Sequence, residues 1–92
     1  MLTSNEYFEG KVKSIALKNG QLPATVGVMD VGEYTFGTSE KEKMSVISGE
    51  LIVKLPEEDW KSYKEGESFT VEANKSFDLK VHVQTAYLCI YG

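Results

Sequence analysis

Short runs in which apolar and polar residues alternate recur along this chain, and no window of ten or more positions keeps apolar residues at helical spacing. In the clearest run, Phe77, Leu79, Val81 and Val83 share one side of an extended segment, and the residues on the other side are polar. Such patterns predict strands over residues 12–15, 24–29, 33–38, 44–55, 66–71, 77–83 and 87–91. Roughly eight to ten short strands with frequent turns are typical of a sandwich or barrel, so the chain is predicted to be all-β.

Turn-forming residues separate the predicted strands. Asn19-Gly20 has the composition of a two-residue type I′ turn and predicts a hairpin at this point. Ser48-Gly49 interrupts an apolar run and predicts a tight turn or bulge between two shorter strands. Residues 60–64 fit either a short strand or a single helical turn, and the pattern does not decide between them.

The chain is acidic overall and contains no arginine. Ten lysines, no arginine and fourteen acidic residues give a net charge of −4, which repels polyanions, so nucleic acid is not expected as a partner. Without arginine, a bound phosphate must be held by lysines, hydroxyls and backbone N–H groups.

A single cysteine cannot form an intramolecular disulfide, and residues 1–6 lack a secretory pattern, so a cytoplasmic location is expected. The longest apolar run, 86–91, is too short to span a membrane, so no membrane association is expected.

Few individual side chains point to chemistry on their own. His82 shares a strand face with polar residues and is interpreted as a solvated surface histidine. Cys89 lies between two aliphatic residues with no basic neighbour, so it is interpreted as a packed or pocket-lining thiol. Trp60 and Tyr63 fit either stacking on a planar ligand or a place in the core, and the acidic run 57–59 lacks the spacing of a calcium loop. The sequence contains no nucleophile elbow, phosphate-binding loop or paired-cysteine zinc motif.

The order of the glycines and strands resembles that of a cupin. Glu42 is followed after six residues by Gly49, and a second block begins at Gly66, as in the two cupin motifs. The three positions at which those motifs place histidines are occupied here by Phe36, Thr38 and Phe77. A cupin metal takes three imidazoles and a carboxylate, and a single remaining carboxylate will not hold a transition metal. No metal and no cofactor are therefore predicted.

Longer segments are similar to the small pyrimidine/purine nucleoside phosphorylases of the cupin superfamily. These segments are 4–8, 10–15, 32–36, 44–49 and 87–89, and the resemblance extends over nearly the whole chain. It implies one cupin-like domain over residues 1–92, with a β-barrel of the jelly-roll or double-stranded β-helix type. It also implies phosphorolysis of diverse purine and pyrimidine nucleosides, in which orthophosphate is the co-substrate and free base and ribose 1-phosphate are the products.

The vacated metal positions predict a dry, partly aromatic pocket suited to a flat organic ligand. Tyr34, Phe36 and Phe77 are the candidate substrate-binding residues, because stacking on an aromatic ring does not distinguish one base from another. Glu42 is a catalytic candidate for stabilising positive charge on the sugar, and Thr38 is a candidate donor to phosphate or ribose. Phosphate is itself the nucleophile, so the reaction needs neither a catalytic serine nor a catalytic cysteine.

Alternative interpretations stay open at this point. One is a non-catalytic cupin that binds a small sugar or nucleotide-like ligand, and another is a structural or protein-interaction module. In the second case Phe36 and Phe77 would fill a shrunken cup, and Glu42 would lie on a solvated loop. An OB-like nucleic-acid binder is a further alternative, which the acidic balance disfavours. A homodimer is expected for the phosphorylase, because a small β domain leaves sheet edges that a partner can cover.

Overall fold

The computed structural model describes residues 1–20 and 22–92, and within them every regular element is a β-strand. The strands are β1 (Thr3–Tyr7), β2 (Val12–Asn19), β3 (Leu22–Met29), β4 (Gly32–Gly37), β5 (Glu42–Ser48), β6 (Glu50–Lys54), β7 (Lys61–Lys64), β8 (Ser68–Val71), β9 (Ser76–Val81) and β10 (Thr85–Tyr91). These two ranges hold no helix, and therefore none that is long and apolar enough to cross a bilayer.

The strands form two antiparallel sheets. The larger sheet has the order β1-β2-β3-β10-β5-β8, and the smaller has the order β4-β9-β6-β7. Neighbouring strands in each sheet are mostly distant in sequence, because the chain repeatedly leaves one sheet and enters the other. This is the jelly-roll arrangement of a cupin, as the sequence predicts.

Side chains from the facing sides of the two sheets form the core. In β9, Phe77, Leu79 and Val81 are buried and alternate with partly or fully exposed residues, as the period-2 pattern predicts. The buried cluster takes further members from both sheets: Val12, Met29, Tyr34, Met44, Val46, Leu51, Val53, Tyr63, Phe69, Val71, Tyr87 and Cys89. Burial of each large apolar side chain contributes about 1.5–3 kcal/mol, so this cluster is the main source of stability.

Gly49 marks the point at which the chain changes from the larger sheet to the smaller. Its φ is +101°, in the region that favours glycine. A Cβ placed here would lie 2.5 Å from the Thr85 hydroxyl oxygen. That hydroxyl accepts the Glu50 N–H at 3.1 Å and donates to the Val83 carbonyl at 2.8 Å. The glycine of the cupin-like pattern is thus required both for the turn and for a close approach.

The start of the chain differs from the sequence prediction. Residues 3–7 form a strand, β1, that pairs with β2 over its whole length. Alternation does not reveal it, because four of its five residues are exposed and only Asn5 is partly buried. Its position at the edge of the larger sheet explains that exposure.

The structure also corrects the predicted β2–β3 turn and the predicted end of β9. The β2–β3 hairpin forms, but Asn19 pairs with Leu22 and so belongs to the ladder, and Gly20 carries the left-handed φ of +76°. Residue 21, which follows the predicted Asn19-Gly20 turn, lies outside the described residues. The predicted strand 77–83 ends earlier than expected: β9 stops at Val81, and Val83 is 51% exposed in the bend that leads to β10. Residues 61–64 form a strand, which resolves the ambiguity at that point.

Candidate functional site

A cavity of about 200 Å³ opens between the inner faces of the two sheets. The described residues that line it are Tyr7, Ser14, Met29, Phe36, Gly37, Glu42, Met44, Phe77, Tyr87, Cys89 and Tyr91. Pockets that enclose a drug-sized ligand usually measure about 300–1,000 Å³, so this cavity can enclose only part of a larger molecule.

One wall of the cavity is polar and is built mainly from β10. Tyr87, Cys89 and Tyr91 alternate along that strand and all face the cavity. Glu42 on β5 lies opposite Tyr91 in the strand ladder, which brings its carboxyl group to the same wall. The Tyr91 hydroxyl lies 3.2 Å from the Thr25 hydroxyl and forms a hydrogen bond with it.

Glu42 is the carboxyl group of this wall. The Cys89 thiol donates to Oε1 of Glu42, with a sulfur-to-oxygen distance of 3.4 Å. Burial raises the pKa of the Glu42 carboxyl above its usual value; the Cys89 hydrogen bond opposes that effect, and the nearby Glu40 charge adds to it. Glu42 therefore binds its proton more tightly than a solvated glutamate does.

The other groups on this wall also hold their protons tightly. Burial raises the pKa of Cys89 to about 12, with the Glu42 charge as the next cause. Burial likewise raises the pKa of Tyr87 to about 12, and it raises the pKa of Tyr91 further above the usual phenol range. At neutral pH these three side chains are uncharged hydrogen-bonding groups.

The facing wall is aromatic. Phe36 on β4 and Phe77 on β9 are directly paired in the strand ladder, and their rings stack at 6.0 Å between centroids. Tyr7, from the end of β1, meets Phe36 edge to face at 6.2 Å. Phe77 is buried, whereas Phe36 is only partly buried, so this wall runs from the core toward solvent.

Two of the sequence-predicted site residues lie outside the lining of the cavity. Tyr34 is buried, with its ring centroid 6.3 Å from that of Phe36, and its hydroxyl donates to the Asp30 carbonyl at 2.6 Å. The Thr38 hydroxyl donates to the Glu72 carbonyl at 2.7 Å and accepts the Lys75 N–H at 3.0 Å. The structure thus groups Glu42, Phe36 and Phe77 in one cavity and places Tyr34 and Thr38 beside it.

The remaining residues singled out in the sequence lie elsewhere. His82 is exposed, and Trp60 is partly exposed with the Lys80 ammonium 4.4 Å from its ring centroid. Tyr63 is buried and packs against Phe69 at 4.8 Å between ring centroids. Residues 57–59 are exposed.

The four cupin metal positions hold one carboxylate in this chain, that of Glu42. The Cys89 thiol lies 3.4 Å from its Oε1 atom. Across 1–20 and 22–92, no group of three or more histidine, cysteine, aspartate or glutamate side chains is placed to hold a metal ion. The residues present do not fit a cupin metal.

Several lining residues were missed in the sequence. The sequence analysis treats Tyr87 and Tyr91 only as strand residues. Each lies two positions from Cys89, so alternation places all three on one face of the strand, and this was a usable signal. Ser14 was likewise recognised only as part of a strand. Tyr7 gave no signal, because β1 shows no amphipathic pattern.

Comparison with known proteins places these features in a family. The family model described as pyrimidine/purine nucleoside phosphorylase matches residues 2–91. A protein of that name from Teredinibacter turnerae is 67% identical over 92 residues, which cover 99% of this chain and 98% of the relative. Another from Psychromonas ingrahamii is 63% identical over 89 residues, covering 96% and 95% of the two chains.

Solved structures agree on the fold. A Vibrio parahaemolyticus protein of unknown function superimposes with a TM-score of 0.96 at 49% identity, covering 100% of this chain and 99% of the other. An RmlC-like cupin from Shewanella frigidimarina gives a TM-score of 0.77 at 22% identity, covering 94% and 79%.

Proposed function

The chain belongs to the pyrimidine/purine nucleoside phosphorylase family, and on that premise we propose that it catalyses the phosphorolysis of diverse purine and pyrimidine nucleosides. The observation that carries the proposal is the cavity in which the Glu42 carboxyl faces the stacked rings of Phe36 and Phe77. A polar wall opposite an aromatic wall suits a molecule that is itself part sugar and part flat base.

The reaction requires little covalent chemistry from the protein. A phosphate oxygen attacks C1′ of the ribose, the bond from C1′ to the base nitrogen breaks, and its electron pair leaves with the base. A C–O bond forms in ribose 1-phosphate, and the departing base takes up the proton that orthophosphate loses. Positive charge develops on the sugar ring in the transition state, and we assign its stabilisation to the Glu42 carboxylate.

Phosphate binding follows from the chemistry of the polar wall. Among the described lining residues there is no lysine, so the cavity offers phosphate the neutral hydroxyls of Ser14, Tyr87 and Tyr91 as hydrogen-bond donors. The Thr38 hydroxyl, which the sequence nominates for this role, is engaged with the Glu72 carbonyl and the Lys75 N–H. It takes part in the proposal only if those bonds exchange for bonds to substrate.

Orthophosphate is the co-substrate in this proposal, and no metal or other cofactor takes part. The donor set supports that view, because one carboxylate and one thiol do not make a cupin metal site. Stacking on the aromatic wall, in which the partly exposed Phe36 ring contacts the buried rings of Phe77 and Tyr34, would account for activity on both classes of base.

The experiment uses metal-stripped protein with uridine and with inosine, each with and without phosphate. Free base and ribose 1-phosphate are followed by chromatography, and both are expected only when phosphate is present. Base release that does not depend on phosphate, or no release at all, would overturn the proposal. Thermal stabilisation by nucleosides without turnover would instead favour the non-catalytic cupin.

We include a homodimer in the proposal, formed through the outer face of the larger sheet. Ile15, Val26 and Leu88 lie side by side there on β2, β3 and β10, and Ile15 and Val26 are 45% and 41% exposed. Outward-facing residues of these three strands, as far as they are described, include no acidic one, although the chain carries fourteen. A nearly uncharged face needs a nearly uncharged partner, and the same face of a second copy is one.

The proposal places the reaction in the cytoplasm without nucleic-acid partners. The free, buried Cys89 is compatible with a reducing compartment. The net charge of −4 opposes binding to polyanions.

A further inference from the structure

The turn between β1 and β2 has an unusual backbone. Phe8 and Glu9 are consecutive residues in the left-handed region, with φ of +53° and +59°, and Gly10 follows at +87°. Non-glycine residues seldom adopt this conformation, and two in succession store strain that the surrounding structure must sustain. The turn is closed by hydrogen bonds from the Gly10 N–H to the Tyr7 carbonyl and from the Lys11 N–H to the Phe8 carbonyl, both 3.2 Å long.

This strained turn places the Tyr7 ring at the mouth of the cavity and the Phe8 ring beside it, outside the cavity lining and 5.0 Å from the Tyr34 ring between centroids. Tyr7 and Phe8 are 46% and 43% exposed, although phenylalanine side chains in particular are usually buried in folded proteins. Both nevertheless contact Phe36 edge to face, at 6.2 Å and 5.3 Å between ring centroids. Phe36 in turn stacks on the buried Phe77, so the aromatic surface is continuous from solvent to the interior.

The size of the cavity limits what can lie inside it. About 200 Å³ does not enclose a whole nucleoside together with phosphate. The polar interior carries the Glu42 carboxyl group, whose oxygens can accept hydrogen bonds from the hydroxyl groups of a pentose, beside the hydroxyls proposed to bind phosphate. The ribose is common to all nucleosides and belongs in the enclosed polar part, whereas the variable base belongs at the open mouth.

We propose that Tyr7 and Phe36 form the aromatic platform at the cavity mouth, where the nucleobase stacks on one ring and meets the other edge to face. Phe8, packed on Phe36 and Tyr34, supports this platform. This inference rests on the proposed function and assigns the base-binding subsite to Tyr7 of β1 together with Phe36 of β4. The rings offer π-faces to any base, so the platform accepts purines and pyrimidines alike. A purine covers more of the platform than a pyrimidine does and gains more from it.

The test replaces the rings while keeping apolar bulk. In the double variant Tyr7→Leu/Phe8→Leu, KM for inosine is expected to rise by about tenfold or more, from the loss of stacking. KM for uridine is expected to rise less, and KM for phosphate to change less than twofold. Tyr7→Phe, which keeps the ring, and Val83→Ala, which alters an exposed apolar residue outside the cavity lining, are the controls. Thermal melting checks that each variant is folded.

Calorimetric binding of inosine in the absence of phosphate separates this inference from the proposed function. If the wild type binds inosine without turnover and the double variant binds it at least tenfold more weakly, the platform stands and phosphorolysis fails. Equal binding by the two proteins, or no binding by the wild type, overturns the platform. An equal rise in the KM values for phosphate and inosine also overturns it, because the turn would then act on the whole site.

Discussion

The phenol of Tyr87 lies directly over Gly27, its partner in the β3–β10 ladder. A Cβ on Gly27 would stand 2.6 Å from the Tyr87 hydroxyl oxygen and 2.8 Å from the Lys13 carbonyl oxygen. Ser14 is the partner of Gly27 on its other side, so the three residues form one row across three strands. The missing side chain of Gly27 is what allows Tyr87 to reach across β3 and complete the polar wall.

Gly27→Ala is therefore expected to displace Tyr87 or the β2 backbone. Overpacking of this kind costs about 1–3 kcal/mol in the free energy of unfolding, and phosphorolysis should fall with it. Urea unfolding measures the first effect. Gly37→Ala is the matched control for stability alone, because its Cβ would meet only the Lys75 carbonyl oxygen at 3.9 Å, while Gly37 itself lines the cavity. Equal stability of the two variants would show that the approach of Tyr87 to Gly27 is looser than described.

The pH dependence of activity should report the ionisation of Glu42. If the carboxylate is the active form, kcat/KM rises with pH through a pKa that burial has raised above that of a solvated glutamate. Glu42→Gln should remove this limb and lower kcat by about 100-fold, the scale of one lost electrostatic stabiliser.

Two neighbours of Glu42 should move that limb in opposite directions. Glu40→Gln removes a like charge and shifts it to lower pH, whereas Cys89→Ala removes a hydrogen bond to the carboxylate and shifts it to higher pH. Cys89→Ser keeps a donor and controls for the lost volume. Tyr87 and Tyr91, which also face this wall, remain neutral over the range. Shifts of the same sign would contradict the assignment of the limb to Glu42.

Stability should fall in alkaline solution. The pKa of Cys89 rises from 9.0 to about 12 on folding, and that of Tyr87 from 10.0 to about 12. The folded state thus holds these protons more tightly, so its advantage is complete below pH 9 and is lost as pH rises toward 12. Each group contributes a slope of at most about 1.4 kcal/mol per pH unit.

Urea unfolding at several pH values between 8 and about 11.5 measures this slope. Cys89→Ser should flatten it, since serine does not ionise in this range, while Tyr87 retains its share. Identical slopes for the wild type and Cys89→Ser would mean that the thiol ionises equally readily in the folded and unfolded chains.

Substitutions of Thr38 distinguish a structural role of its hydroxyl from a catalytic one. Thr38→Val removes the partner of the Glu72 carbonyl and of the Lys75 N–H, and is expected to lower stability by about 2 kcal/mol. Thr38→Ser should restore most of the loss. Denaturant unfolding and kcat/KM are measured on the same samples. A large loss of kcat/KM at unchanged stability would instead support the direct role that the sequence predicts.

The outer face of the larger sheet predicts a dimer. Light scattering after gel filtration should give twice the mass of one chain for the wild type. Val26→Lys puts a charge at the centre of the face and should give a folded monomer, whereas Val83→Lys, also at an exposed valine, should leave the mass unchanged. A monomeric wild type, or a dimer that survives Val26→Lys, would exclude this face as the interface.

Local patterns were sufficient for much of the site. Phe36 and Phe77 were identified because they occupy the metal positions of the cupin-like motifs, and strand pairing brings them into contact. Glu42 was identified in the same way, and the ladder places it beside Tyr91. For Phe36 and Phe77, alternation also predicts which way the side chain points, whereas Glu42 lies before the predicted strand 44–55 and was identified by motif spacing alone, because β5 begins two residues earlier than predicted.

The all-β fold and the inward-facing positions of most strands could be predicted from local alternation, and the family from the segments that resemble it. Only the folded chain shows that Tyr7 and Tyr91, 84 positions apart, line one cavity. It also shows that the Thr38 hydroxyl forms hydrogen bonds with the Glu72 carbonyl and the Lys75 N–H. The physical reason is strand order: β1, β2, β3, β10 and β5 become neighbours through long-range pairing. A period of two residues states which face a side chain takes, but not which strand will lie beside it.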